Sequence, residues 1–205
     1  MAVILTGASD GIGRAAAREL RRMGREVVIV GRSPEKTSAA AAELDVEHHL
    51  ADFAKLDDVR ALADTLGDRH DTIDVLANNA GGLMGRRRTT LDGNELTFQV
   101  NHLAPILLTT RLLPKLIDSS ATVIATSSMM ARMGRLPLDD LNLTRRYSAG
   151  RAYAAAKLAN ILFTRELDRR YGQDGLSAAS FEPGAVATNF GAIHPAARLV
   201  FQSTL

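Results

Sequence analysis

The chain contains no cysteine, which excludes disulfide bridges and thiolate metal sites. Lysine is scarce. Lys36, Lys55, Lys115 and Lys157 are the full set, against a large excess of arginine. With alanine abundant, that imbalance reads as coding bias rather than as phosphate binding. Charge of one sign does not accumulate either. The formal net charge is +2, too small a field to argue for a nucleic acid partner. No apolar run reaches membrane-spanning length, so no membrane span is expected. The first strand-like run begins at Ala2 and leaves no room for a signal or transit peptide. A cytoplasmic location is therefore the expectation. Internal repeats and low-complexity linkers are also missing. The 205 residues suit a single domain, 1–205, long enough to bury a sizeable core.

What is present is alternation. Apolar strand-like runs fall near 2–6, 26–31, 46–50, 73–78, 121–127 and 176–182. Helix-like segments lie near 12–23, 34–44, 56–66, 92–117 and 151–171. This order predicts an α/β fold: a doubly wound parallel sheet of the Rossmann kind, covered on both faces, with ligand at the carboxyl ends of the strands. Gly24 suits the end of the first helix. Ser33 and Pro34 suit an N-cap followed by proline at the first helical position.

Two motifs carry chemistry. The loop Thr6-Gly7-Ala8-Ser9-Asp10-Gly11-Ile12-Gly13 joins the first strand to the first helix. Its glycines permit a tight turn and let backbone N–H groups approach a pyrophosphate at the helix N-terminus. An ordinary glycine turn is the alternative. The second motif is Tyr153-Ala154-Ala155-Ala156-Lys157, whose ends share one helical face, one turn apart. A phenol with a pKa of ~10 is a poor acid at neutral pH. A fixed ammonium nearby favours the phenolate and lowers that pKa, giving a tuned proton donor and acceptor. Tyr147 has no lysine one turn beyond it.

Together these motifs resemble the short-chain dehydrogenase/reductase family. Asn78-Asn79-Ala80-Gly81 is similar to its N-N-A-G segment, and Asn101 to its helix asparagine. Val123-Ile124-Ala125-Thr126-Ser127-Ser128 resembles the strand ending in the catalytic serine, Ser128 aligning with it and Ser127 competing. Pro183-Gly184 with Thr188 resembles the P-G-x3-T cofactor loop. The retinol-dehydrogenase-like branch fits best, through Asn101-His102-Leu103, the long gap from Ser128 to Tyr153, and Lys157-Leu158-Ala159-Asn160.

The resemblance implies hydride transfer between NADP(H) and an alcohol or carbonyl substrate, here an apolar one. It assigns Ser128 to the substrate oxygen, Tyr153 to its proton, Lys157 to the tyrosine and the nicotinamide ribose, and Asn101 to a water beside Lys157. The implied cofactor contacts are Gly7, Ser9, Asp10, Gly11, Ile12, Gly13, Arg32, Asp52, Phe53, Asn79, Ala80, Gly81, Tyr153, Lys157, Pro183, Gly184 and Thr188. Asp10 is the weakest of these, because its charge opposes a phosphate. No metal site is expected. NAD-preferring members place a carboxylate at the end of the second strand. Gly31 stands there in this chain and Arg32 follows, so a 2′-phosphate would meet a guanidinium. A solvated surface arginine is the alternative. Asp52 is open to both an adenine contact and a helix N-cap.

Family members continue past the P-G loop to a substrate-covering segment, a seventh strand and a last helix. The run from Asn189 to Leu205 ends short of these, so the C-terminal strand is expected to be missing from the sequence. Other residues attract plainer readings. Arg86-Arg87-Arg88 suits a solvated loop, and His102 suits helix packing. His48 and His49 adjoin on a strand, face opposite ways and make a poor metal pair. Met129, Met130 and Met133 either line an apolar pocket or fill core space. Apolar residues on several faces of the helices near 92–117 and 151–171 are compatible with a homo-oligomer. Two other functions remain open: a non-catalytic NADP(H)-binding regulator, and an epimerase or lyase of the same family.

Overall fold

The computed structural model describes residues 2–184. Six strands form one parallel sheet: β1 (Ala2–Thr6), β2 (Glu26–Gly31), β3 (Glu47–Leu50), β4 (Val75–Asn78), β5 (Thr122–Thr126) and β6 (Ser177–Phe181). Their order is β3-β2-β1-β4-β5-β6. The chain builds outward from β1 to β3, then crosses back to lay β4 on the other side of β1. That reversal opens a crevice at the carboxyl ends of β1 and β4. The helices are α1 (Gly11–Arg22), α2 (Pro34–Leu44), α3 (Leu56–Arg69), α4 (Leu96–Phe98), α5 (Ala104–Asp118) and α6 (Ala149–Tyr171).

The strands read as unbroken apolar runs because both faces are covered. Ile4, Val28 and Val30 pack with Val59 and Leu66 of α3 and Leu108 and Leu116 of α5. Leu5, Val27 and Ile29 turn the other way, onto Ala17 of α1 and Ala40 and Leu44 of α2. This is the two-residue period of a strand, with a core on each side. Asp10 caps α1 by accepting from Gly11 N at 2.8 Å, and Ser33 Oγ caps α2 through Lys36 N at 3.4 Å. Gly24 follows α1 with φ of 73°.

Three departures from the sequence pattern stand out. Residues 92–95 belong to a turn rather than a helix. Gly93 takes φ of 82°, and Glu95, 1% exposed, caps α4 by accepting from Thr97 N at 3.0 Å and Phe98 N at 2.8 Å. Between α4 and α5 the ladder widens to a π turn, Gln99–Leu103. Lastly, Asp52 is not the N-cap of α3. Its Oδ1 accepts from Ala54 N at 3.1 Å in a local turn. Lys55 holds the cap position without a side-chain bond, and Asp92 Oδ2 accepts from Leu56 N at 3.1 Å instead.

Thr6 ties the crevice together. Its hydroxyl, fully buried, accepts from Asn79 N and Ala80 N, both at 3.0 Å, and donates to Ala77 O at 3.2 Å. Thr6→Val keeps the shape but strands the Ala80 N–H, while Asn79 N keeps its bond to Ala77 O at 3.0 Å. We expect a loss of about 1–3 kcal/mol, the usual cost of an unsatisfied buried group. Thr6→Ser should stay near wild type. Urea unfolding of the three proteins checks this; a valine variant as stable as the serine variant would contradict it.

Candidate active site

The glycine loop is shaped by close approach. Gly7 takes φ of 66°, and a Cβ there would lie 2.7 Å from Ala80 Cα. A Cβ on Gly13 would lie 2.4 Å from Gly7 O. Only glycine leaves room at both positions. Asn79, expected among the cofactor contacts, is spent on the frame. Its Nδ2 donates to Thr6 O at 3.0 Å and Gly7 O at 3.2 Å, and its Oδ1 accepts from Thr126 at 3.2 Å. It shapes the loop from below. Asp10 pairs with Lys36 at 3.2 Å as well as capping α1.

A cleft opens above this loop, lined by Gly7, Ser9, Arg32, Asp52, Phe53, Ala80 and Gly81 among others. Gly11, Ile12 and Gly13 form the first turn of α1 beside it. Its residues fit a dinucleotide: a cradle that Cβ atoms would fill, a helix N-terminus for a pyrophosphate, and exposed Arg32 at the end of β2. Gly31 serves a different need from the one expected. A Cβ there would sit 2.2 Å from Thr37 Oγ1, which is buried and donates to Ser33 O at 2.6 Å. Glycine is required by α2 packing as well as leaving the carboxylate position empty.

The four residues expected to act together do meet. Ser128 ends the crossover from β5 and caps a short 3-10 turn, Met129–Met133, accepting from Met130 N at 3.3 Å. Its side chain also hydrogen-bonds Tyr153. Ser127 is the wrong partner, because its Oγ donates to Lys157 O at 3.1 Å, inside the fold. α6 begins at Ala149, two residues before the pattern suggested, with Ser148 Oγ accepting from Arg151 N at 3.2 Å. Its inner face carries Tyr153, 5% exposed, and Lys157, 3% exposed. Lys157 Nζ lies 5.4 Å from the Tyr153 ring centroid and donates to Thr126 O at 2.8 Å. Gly81 separates Lys157 from Asn101: a Cβ on it would lie 2.4 Å from Asn101 Oδ1 and 3.4 Å from Lys157 Nζ.

Asn101 sits in the π turn. Its side chain clasps Gly82, accepting from Gly82 N and donating to Gly82 O, both at 2.9 Å, and donates to Thr97 O at 2.8 Å. Its carbonyl accepts from Asn160 Nδ2 at 3.0 Å. Asn160 Oδ1 contacts His102 Nδ1 at 2.9 Å, and His102 packs against Phe98 with centroids 5.1 Å apart. In the sequence, Asn160 marks only the family resemblance and His102 suits helix packing. Their signal was the same three-to-four-residue helical spacing that singled out Tyr153 and Lys157. Pro183 and Gly184 follow β6, and Thr188 lies outside the described residues.

The electrostatics correct one expectation. Burial pushes the Tyr153 phenol up to about 12, and the hydrogen bond from Ser128 only partly offsets it. Burial also pushes Lys157 down to about 8. The ammonium does not yield an acidic tyrosine here, because both groups have left water and desolvation outweighs their attraction. At neutral pH the pair is a neutral phenol beside a predominantly charged ammonium.

A family model described as short chain dehydrogenase matches residues 1–197. A putative daunorubicin C-13 ketoreductase from Streptomyces sp. (strain C5) is 45% identical over 196 residues, 92% of this chain and 67% of that protein. Human retinol dehydrogenase 13 is 40% identical over 198 residues, 92% of this chain and 60% of that one. A metagenomic short-chain oxidoreductase solved in complex with NADP is 28% identical, with a TM-score of 0.72 over 91% of this chain and 83% of that chain. The fold and site define a dinucleotide-binding α/β protein with a tyrosine–lysine pair. The chain belongs to the short-chain dehydrogenase family. It spans about three fifths of the length of the retinol dehydrogenases it matches. Among the described residues, no helix is long and apolar enough to cross a membrane.

Lys157 gives a pH signature. Its folded pKa of about 8 lies below its ordinary 10.5, so between these values the unfolded chain binds more protons. Stability of the cofactor-free protein should therefore rise through that window, by at most about 3 kcal/mol. Tyr153 acts in the opposite sense and later. Its folded pKa of about 12 exceeds 10, so its contribution falls only above pH 10. Lys157→Met should flatten the profile between pH 8 and 10, as read by urea unfolding. A profile unchanged by the substitution would contradict the burial argument.

Proposed function

We propose that the chain acts as an NADP(H)-dependent oxidoreductase interconverting an alcohol and an apolar carbonyl compound. The carrying observation is the Ser128–Tyr153 hydrogen bond above buried Lys157, beside a glycine cradle at the carboxyl ends of β1 and β4. In reduction, a nicotinamide held in the cleft would supply the hydride for the carbonyl carbon. Ser128 donates to the substrate oxygen and orients it. Tyr153 Oη gives that oxygen a proton. The charge left on the phenol is the charge the Lys157 ammonium stabilises, so the interaction is strongest where the barrier is highest. Thr126 O and Ser127 hold Lys157 in place. Oxidation runs the same proton path backwards.

Arg32 supports the choice of NADP(H), with no carboxylate on Gly31 to repel a 2′-phosphate; the related structure with NADP agrees. Apolar substrates are supported by Met129 and Met133. Both are exposed, at 62% and 71%, in the turn that Ser128 caps, so they do not fill core. The similar proteins are named for retinol and for a daunorubicin ketone.

Tyr153→Phe should lower carbonyl reduction by about a hundredfold or more, the usual worth of a positioned general acid, with NADPH binding intact. Reduction within tenfold of wild type would remove the catalytic assignment and favour a binding protein. NADPH consumption against aldehydes and ketones also separates net reduction from an epimerase or lyase.

Arg32→Ala should erode the preference for NADPH over NADH. A charge-assisted contact of roughly 1.5–3 kcal/mol corresponds to about tenfold to a hundredfold in kcat/KM. Gly31→Asp is unsuitable as a reversal, because its Cβ would strike Thr37. An Arg32→Ala ratio equal to that of wild type would place phosphate recognition elsewhere.

A further inference from the structure

At the far edge of the sheet from β6, three metal-binding side chains converge outside the cleft. Glu47 opens β3, His49 follows two residues later on the same face, and His70 ends α3. Their ligating atoms all lie within 4.8 Å of one another. Glu47 Oε1 meets His49 Nε2 at 2.9 Å, and Glu47 Oε2 lies 3.9 Å from His70 Nε2. We propose that Glu47, His49 and His70 form a zinc site that fastens the end of α3 to the edge strand β3.

An independent observation points to a ligand. His70 is only 7% exposed, and its Nε2 has no hydrogen-bond partner among the described residues. Glu47 at 3.9 Å is too distant to accept a proton from it. A buried imidazole nitrogen left bare costs free energy, and a metal ion at that point removes the cost. The backbone around it is fixed: His70 N donates to Leu66 O, and His70 O accepts from Lys115 Nζ.

The donor set fits the ion. Two imidazoles and one carboxylate suit zinc, with water completing a tetrahedron. Zinc–ligand bonds near 2.0–2.1 Å place tetrahedral donors about 3.3 Å apart, a value the separations here bracket. Rotation about the side-chain bonds closes the rest. His48 takes no part, since it points to the other face and contacts Ser38 Oγ at 3.2 Å. One cation competes: Arg69 Nε donates to Glu47 Oε1 at 2.9 Å. Its side chain is 60% exposed and can swing into water. The site lies at the amino end of β3 and the carboxyl end of α3. Asp52 and Phe53, which line the cofactor cleft, come after the carboxyl end of β3. Zinc here would act on stability and leave cofactor binding alone.

The test is calorimetric titration of zinc chloride into the EDTA-treated, dialysed chain, with circular dichroism to confirm folding. Wild type should bind one zinc, with a rise in Tm that EDTA reverses. His70→Asn and His49→Asn should each weaken binding by more than the roughly tenfold to hundredfold that losing an outer-shell partner costs. His48→Asn should bind as wild type, and Arg69→Gln should bind more tightly. Cobalt(II) should give the intense visible bands of a four-coordinate site in wild type and lose them in His70→Asn. No saturable zinc binding by wild type would overturn the proposal. So would a His48→Asn variant that loses as much affinity as His70→Asn.

Discussion

The arrangement of the site depends on one buried ammonium. Lys157 is taken out of water on the inner face of α6, and every neighbour is constrained by it. Thr126 must end β5 with its carbonyl turned toward Nζ. Ser127 must look inward to hold the Lys157 carbonyl, which leaves Ser128 to face Tyr153. Residue 81 must lack a side chain, because Asn101 and Lys157 close on it from two sides. The π turn brings Asn101 to that point, and Asn160, one turn beyond the α6 residues that line the site, secures it. An uncompensated buried charge costs several kcal/mol, so the sheet ends and the two helices are adjusted to this atom.

The same burial determines how the phenol behaves. In water, a lysine one helical turn away would make a tyrosine more acidic. Here desolvation opposes both charges, and Tyr153 keeps its proton while Lys157 gives its own up more easily. A neutral phenol beside a charged ammonium is prepared to lose a proton only when a substrate oxygen is ready to take it. The ammonium then faces a phenolate at close range in a medium of low polarity, where their attraction is strong. The field is in place before the reaction and needs no rearrangement during it.

Much of this was legible in the sequence. Strand runs such as Val27–Val30 are apolar on both faces, and that pattern belongs to a covered parallel sheet. Gly7, Gly13, Tyr153 and Lys157 were legible because their chemistry needs those residue types at fixed spacing. What was hidden depends on neighbours far along the chain. The π turn at Gln99–Leu103 looks like ordinary helix, since nothing local marks a widened ladder. α4 starts later than the helix-like segment near 92–117 because Glu95, a buried carboxylate, caps it. Gly31 looked like a missing carboxylate, and its contact with Thr37 emerges only when α2 folds back. His49 was set aside beside His48, because His70 is brought to it by α3 and not by sequence. The direction of the Tyr153 shift follows from burial, a property no spacing displays.

The most direct test is an ultraviolet pH titration of tyrosine ionisation in the cofactor-free protein, with Tyr153→Phe subtracted from wild type. The account predicts that the difference isolates one phenol that stays protonated through pH 10 and ionises near 12. A midpoint at or below 10 would show that the ammonium outweighs burial and contradict the account.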